Sequence, residues 1–142
     1  MPNLPFTMRF GTNGDYKLWA TEGWYHDANE KEHVWAGHVA KLRLMLEYGK
    51  DDLLLRIDVV PVQAQGISQE LFAFVNGRFA AFWSIKDPSE RSALVEANFF
   101  VSGENLITFV SPKAVCPSEL GIGKDQRTLG LAFRRFSLSA AP

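Results

Sequence analysis

Residues 71–85 read Leu-Phe-Ala-Phe-Val-Asn-Gly-Arg-Phe-Ala-Ala-Phe-Trp-Ser-Ile, with two apolar runs on either side of Asn76 and Gly77. Asn-Gly between apolar runs is a strong signal for a β-hairpin, because a two-residue type I′ turn needs positive φ at both positions. Such a turn sets the register: Phe74 faces Phe79, and continuing it pairs Phe72 with Ala81 and Glu70 with Trp83. The side chains predicted to share one face are Phe72, Phe74, Phe79 and Trp83.

The opposite face of this hairpin is also apolar. A hairpin that is apolar on both sides is either covered on both or keeps one side for a ligand or a partner. The covered arrangement is favoured, since aromatic ladders are more often core than binding platform. In the other arrangement, the Phe72/Phe74/Phe79/Trp83 face would dock a partner subunit or form a homodimer.

Period-two alternation also marks residues 41–59. Leucines at 42, 44 and 46 alternate with more polar positions, and residues 53, 55, 57 and 59 resume the pattern after the Gly49-Lys50-Asp51-Asp52 break. We expect an antiparallel hairpin with one solvent-exposed face.

Further short strands are expected at residues 16–24, 94–101, 106–110 and 128–138. In the last of these the alternation shifts by one residue at Arg134-Arg135, which a β-bulge would explain. No segment shows a sustained helical period. The sequence therefore predicts an all-β protein, an antiparallel β-sandwich of jelly-roll type with about eight or more strands. Residues 1–10 form an arm along a sheet edge or a frayed end, and residues 11–139 a single sandwich domain.

Composition excludes several classes of partner. The 142-residue chain has 15 basic and 16 acidic residues and a formal net charge of -1. Nucleic acid is not an expected partner, because phosphate binding needs clustered cations. No apolar stretch is long enough for membrane insertion, and no signal peptide is recognisable, so a cytoplasmic location is expected if the chain is full length. The single cysteine, Cys116, excludes an internal disulfide.

Several motifs together carry a family resemblance. They are Gly23-Trp24, Trp35, the Asn76-Gly77 hairpin, Ser111-Pro112, Ser118-Glu119-Leu120-Gly121, and Asp125-x-Arg127-x-Leu129-Gly130-Leu131-Ala132. In these motifs the chain resembles an uncharacterised β-sandwich domain, similar to carbohydrate-binding, galactose-binding-like jelly rolls, that is associated with bacterial cell-envelope glycosyltransferases. The resemblance spans roughly residues 10–138. It implies a sandwich fold and, as partner, a saccharide or a glycosyltransferase-associated protein.

Two groups of residues have the chemistry for sugar binding, in which aromatic rings stack on a pyranose and planar polar groups bond its hydroxyls. The candidate ligand-binding residues are Trp24, Tyr25, His26, Asp27, Trp35, Glu119, Asp125 and Arg127. Structural roles compete with this reading. Trp24 and Trp35 could plug the ends of the sandwich, and Asp125 could pair with Arg127 to hold a loop against the sheet.

Neither a cofactor nor a catalytic metal is expected. His26, His33 and His38 lack a recognised ligand spacing for zinc. A structural calcium is an alternative, with oxygen ligands from Asp51-Asp52 or from residues 27–32, although neither stretch has the 12-residue calcium-loop pattern.

Catalysis is not expected either, because no nucleophile motif occurs and Cys116 has no basic neighbour that would activate it. We therefore predict a non-catalytic carbohydrate-binding accessory module for bacterial envelope or extracellular polysaccharide. The alternatives are a structural or protein-interaction domain, and a glycan-modifying enzyme that uses Glu30, Glu32 or Glu119 as acid or base.

Overall fold

The computed structural model describes residues 4–47 and 51–142, which form ten β-strands and two short 3-10 turns, at Tyr16–Leu18 and Ala97–Phe99. The strands are β1 (Phe6–Arg9), β2 (Trp24–Tyr25), β3 (Val34–Ala36), β4 (Val39–Leu46), β5 (Leu53–Val60), β6 (Gln69–Val75), β7 (Arg78–Ile85), β8 (Ser89–Val95), β9 (Gly103–Val110) and β10 (Ala132–Ala140). All strand pairs are antiparallel, and the predicted all-β sandwich is confirmed.

The strands divide into two sheets. The first sheet has the order β2-β3-β10-β5-β8, with β1 also paired to β10, and the second has the order β4-β9-β6-β7. Side chains alternate across both, so that each sheet turns one face to the shared core and one face outward. Phe109 of the second sheet lies 4.8 Å, ring centre to ring centre, from Phe133 of the first. Burying a ring of this size contributes roughly 1.5–3 kcal/mol.

The leucines of β4 and the apolar residues of β5 are buried as their alternation predicts, but the two strands do not form a hairpin. β4 pairs with β9 in the second sheet, whereas β5 pairs with β10 and β8 in the first. Alternation identifies the buried face of a strand and not its hydrogen-bonded neighbour, so both arrangements satisfy the same pattern. Gly49 and Lys50 of the predicted turn lie outside the described residues.

Some predicted boundaries are wrong. Residues 16–24 hold a 3-10 turn rather than a strand, and β2 begins only at Trp24. Val95 ends β8, and residues 97–99 form the second turn. The last strand begins at Ala132, and the predicted bulge at the arginine pair is confirmed, since the register shifts between Phe133 and Arg135.

The N-terminal segment is part of the first sheet. Strand β1 pairs with residues 135–138 of β10, and Phe6, Met8 and Phe10 point into the core. This edge position is one of the two arrangements expected for the arm. The first three residues of that arm lie outside the described part of the chain.

The hairpin of β6 and β7 turns at Asn76 and Gly77, as predicted, with φ of 51° and 78°. Its register differs, because a bulge on β7 changes the pairing beyond Phe74 and Phe79. Ala73 then faces Ala81, Phe72 faces Phe82 and Leu71 faces Trp83. The extra residue reverses the faces, so Trp83 enters the core and Phe82 points outward.

No helix in the described ranges, 4–47 and 51–142, is long and apolar enough to cross a membrane.

Candidate functional site

Two half-buried aromatic residues lie side by side at the edge of the first sheet. Tyr25 of β2 and Trp35 of β3 are direct cross-strand partners, whereas the preceding pair in the ladder, Trp24 and Ala36, points into the core. Alternation therefore directs Tyr25 and Trp35 outward. Together they form a partly exposed aromatic surface on the outer face.

A charged cluster adjoins this aromatic pair. The guanidinium carbon of Arg127 lies 5.6 Å from the centre of the Tyr25 ring. Arg127 donates from Nε and one terminal nitrogen to the Asp125 carboxylate, at 2.8–3.2 Å. Its terminal nitrogens also donate to Glu30, at 3.0 and 3.3 Å. One arginine thus joins a carboxylate of its own loop to one from the loop that connects β2 and β3.

The electrostatics of this cluster favour the charged forms. Hydrogen bonds from Arg127 hold the pKa of the Asp125 carboxyl below its usual 3.8, against a smaller opposing effect of burial. The two carboxylates raise the pKa of Arg127 further above its already high value. An ionised carboxylate accepts hydrogen bonds, so Asp125 is suited to receive hydroxyl donors rather than to supply a proton.

His33 connects the charged cluster to the aromatic pair. Its Nε2 lies 3.6 Å from a Glu30 oxygen, and its ring meets the Trp35 ring edge-on, with the centres 6.2 Å apart. The structure therefore assembles Tyr25, Glu30, His33, Trp35, Asp125 and Arg127 into one group, which we call the aromatic-carboxylate site.

The prediction that Trp24 binds a ligand is wrong. Predicted as a residue that offers its ring to a ligand, it is only 7% exposed, and it packs on Phe10 and Phe133. Its indole nitrogen donates to the Lys41 carbonyl. Trp24 is therefore a core residue, because β2 turns it inward and leaves Tyr25 outward.

His26, Asp27 and Glu119 make local contacts. The His26 Nδ1 lies 2.6 Å from the Tyr16 hydroxyl, and burial, assisted by the charge of Glu30, raises the pKa of that phenol. The Asp27 carboxylate accepts from the backbone N–H of Asn29 and shapes a turn. Glu119 is exposed, and its backbone N–H donates to the Cys116 carbonyl.

The residues considered for a metal site are dispersed. Within the described ranges, no three His, Cys, Asp or Glu side chains come together as a metal site would require. Asp52, one of the calcium candidates, accepts from the backbone N–H of Ala97. The thiol of Cys116 is buried, 3.3 Å from the Ser118 hydroxyl.

The second sheet has its own exposed aromatic surface. Phe72, Phe74, Phe79 and Phe82 project from the outer faces of β6 and β7, and we call them the phenylalanine face. Phe79 is 55% exposed and Phe82 is 44% exposed. The predicted face included Trp83 instead of Phe82; Trp83 is 8% exposed and belongs to the core.

No protein-family model matches the chain, and no relative was found among curated proteins. Solved structures match its fold. One is the CBM36-1 domain of a multidomain xylanase from the hindgut metagenome of Trinervitermes trinervoides, with a TM-score of 0.54 at 9% identity over 87% of this chain and 90% of that domain.

Two further structures extend this finding. The GH26-CBM35 β-(1,4)-mannanase of Podospora anserina matches with a TM-score of 0.56 at 11% identity, over 97% of this chain and 28% of the enzyme. A CBM36 carbohydrate-binding module in complex with calcium and xylotriose matches with a TM-score of 0.51 at 7% identity, over 85% of this chain and 92% of the module. The chain has the β-sandwich fold of carbohydrate-binding modules.

Proposed function

We propose that this domain binds a saccharide, without catalysing its conversion, at the aromatic-carboxylate site. The observation that carries the proposal is the outward pairing of Tyr25 and Trp35 beside the Glu30, Asp125 and Arg127 cluster. The similarity in fold to carbohydrate-binding modules supports it.

Each part of the site has a task in this proposal. The partly exposed ring of Trp35 supplies an apolar surface for the carbon-hydrogen face of a pyranose. The carboxyl oxygens of Glu30 and Asp125 keep lone pairs beyond those used by Arg127, and these accept hydrogen bonds from sugar hydroxyls. Arg127 holds both carboxylates in place, which lowers the entropy lost when a ligand binds.

A polysaccharide of the bacterial envelope or an extracellular polysaccharide is the proposed ligand. That finer assignment rests on the resemblance carried by motifs such as Gly23-Trp24 and the segment from Asp125 to Ala132. The same resemblance supports a role as an accessory module beside a glycosyltransferase.

Calorimetric titration against xylan, mannan and bacterial envelope oligosaccharides tests the proposal. At least one should bind and quench tryptophan fluorescence, and Trp35→Ala should weaken binding about tenfold or more, as loss of a stacking ring predicts. Phe79→Ala removes an exposed ring from the other sheet and should leave binding unchanged. Titrations with calcium and with EDTA test whether this domain shares the calcium seen in one structural neighbour.

The proposal requires that a saccharide of the panel binds and that Trp35→Ala weakens this binding. Trp35→Ala protein that binds as well as the wild type, or a complete lack of binding across the panel, would contradict it. Circular dichroism and a melting curve should show that Trp35→Ala folds normally, because Trp35 lies outside the core.

The second candidate function is self-association through the phenylalanine face. The exposed rings of Phe79 and Phe82 project from the outer face of the second sheet, and a second copy packed face to face on this surface would cover both. Sedimentation should then show a dimer that Phe82→Asp converts to monomer. Leu94→Asp, at a 59% exposed position on the other sheet, is the matched control. A monomeric wild type rejects this candidate.

A further inference from the structure

A polar cleft of about 850 Å³ lies on the outer face of the first sheet. It is lined by Arg9, Arg56 and Arg135, by the hydroxyls of Thr7 and Ser137, and by Asn13. Cationic guanidinium groups and short hydroxyl and amide side chains line one open concavity. Such a surface suits an anionic and hydroxyl-rich ligand.

Strand register explains why the arginines converge. Arg9 of β1 stands directly opposite Arg135 of β10. One row further along, Ser137 lies between Thr7 on β1 and Arg56 on β5. Three neighbouring strands therefore each contribute one arginine to the same outer face.

The arrangement of Arg9 opposite Arg135 opposes folding. Like charges placed directly opposite in a sheet destabilise it. An anion bound between Arg9 and Arg135 would attract both guanidinium groups and so offset their mutual repulsion. Anion binding therefore explains the pair, which packing alone does not.

The carboxylates near the cleft neutralise only part of the positive charge of its arginines. Asp58 lies 2.9 Å from Arg134 and 3.7 Å from Arg135. Within the part of the chain that the structure describes, Arg9 and Arg56 have no carboxylate within ion-pair distance. Asp15 and Glu90 also line the cleft, so the three arginines leave a net charge of about +1 there.

The wall of the cleft is built by a tight loop. Gly14 lies so close to the Arg9 carbonyl that a Cβ atom would overlap it, and Asp15 returns a backbone N–H bond of 3.0 Å to the same carbonyl. The Asp15 carboxylate also accepts from the Arg9 backbone N–H. This loop therefore fixes the end of β1 and the position of Arg9, so the cleft is preorganised.

We infer that this arginine cleft binds a carboxylate-bearing saccharide, such as a uronic acid unit of an acidic polysaccharide. Arg9 and Arg56 hold the carboxylate, and Thr7, Ser137 and Asn13 contact sugar hydroxyls. The inference rests on the proposed saccharide binding for the sugar part of the ligand. It adds a second subsite on the outer face that also carries Tyr25 and Trp35.

Calorimetry with polygalacturonate tests the inference, with its fully methyl-esterified form and dextran sulfate as comparison ligands. Polygalacturonate should bind, the neutral ester at least tenfold more weakly, and each of Arg9→Gln and Arg56→Gln should weaken binding about tenfold or more. Arg43→Gln is the control, because Arg43 is exposed on the other sheet. Arg9→Gln should melt no lower than the wild type, since it removes a like-charge pair.

Three results would overturn the inference: equal binding of the ester, equal weakening by Arg43→Gln, or binding of dextran sulfate without polygalacturonate. Equal binding of the ester would show that the cleft does not recognise the carboxylate. Equal weakening by Arg43→Gln would show that any arginine on the surface attracts a polyanion, and binding of dextran sulfate alone would show that the ligand carries sulfate rather than carboxylate groups.

Trp35→Ala distinguishes binding at the cleft from binding at the aromatic-carboxylate site. Loss of neutral oligosaccharide binding in Trp35→Ala with polygalacturonate binding retained supports both proposals. If polygalacturonate binding requires Trp35 but neither Arg9 nor Arg56, the inference about the cleft is overturned and the proposed function stands.

Discussion

Arg127 donates two hydrogen bonds, of 3.0 and 3.3 Å, to the carboxylate of Glu30, which stands 97 residues earlier in the chain. The contact ties the loop between β2 and β3 to the long loop before β10. Both side chains are largely buried, with 14% of Glu30 and 25% of Arg127 exposed. The Arg127 guanidinium that makes this contact lies 5.6 Å from the centre of the Tyr25 ring.

Glu30→Gln should destabilise the protein by about 1 kcal/mol, because the amide keeps the shape but removes the charge that faces a sheltered arginine. Urea unfolding monitored by circular dichroism measures the change. Glu104→Gln is the control: Glu104 pairs with Arg43, both are more than half exposed, and no measurable loss is expected. Equal stability of Glu30→Gln and wild type would show that the contact between Glu30 and Arg127 contributes nothing to the free energy of unfolding.

Acid should weaken the protein partly through Asp125. The folded-state pKa of this carboxyl lies below its usual 3.8, so its contribution is complete above that value and is lost as pH falls toward the folded pKa. Asp125→Asn should therefore lose less stability than wild type as the pH falls from about 5 into the acid range. Urea midpoints across that range measure the slope. Asp87→Asn, at an exposed position, should keep the wild-type slope.

The bulge in β7 predicts opposite outcomes for two neighbouring aromatic residues. Trp83→Ala should cost roughly 3–5 kcal/mol, because it empties a core position. Phe82→Ala should cost less than about 1 kcal/mol, because its ring is exposed. Chemical denaturation compares the two. The reverse order would mean that the hairpin follows the simple two-residue register.

Asn76 has a second role besides forming the turn. Its side-chain Nδ2 donates to the side-chain Oδ1 of Asn105 at 2.9 Å, and its own Oδ1 accepts from the backbone N–H of Leu106 at 2.9 Å. A double-mutant cycle of Asn76→Ala and Asn105→Ala should show a coupling of about 1 kcal/mol. Repeating the cycle with Asn98→Ala in place of Asn105→Ala should show none, since Asn98 is exposed. Additive losses at Asn76 and Asn105 would contradict the network.

Much of the fold could be predicted, because strand identity and turn type depend on nearby residues. Period-two alternation located β4 and β5, and Asn76-Gly77 located the hairpin. The shift at Arg134-Arg135 located the bulge in β10. Each of these signals is complete within about ten residues of chain.

The candidate site could be predicted only in part. Pairing of Asp125 with Arg127 spans two residues and was expected, whereas the partnership of Arg127 with Glu30 was not. Tyr25 and Trp35 were both candidates, but their direct apposition depends on β2 and β3 being neighbours. The sequence predicts Trp83 instead of Phe82 on the outer face of the hairpin, because the bulge near Ala80 has no turn residue to mark it.

The amino-acid sequence by itself determined that the chain forms short alternating strands, that Asn76 and Gly77 reverse one of them, and that no large charge cluster exists along it. Only the tertiary structure decided that β4 and β5 enter different sheets, and that Arg9, Arg56 and Arg135 converge on one face. The physical reason is that alternation records which side of a strand is apolar, while sheet order and register depend on packing between segments far apart in the chain.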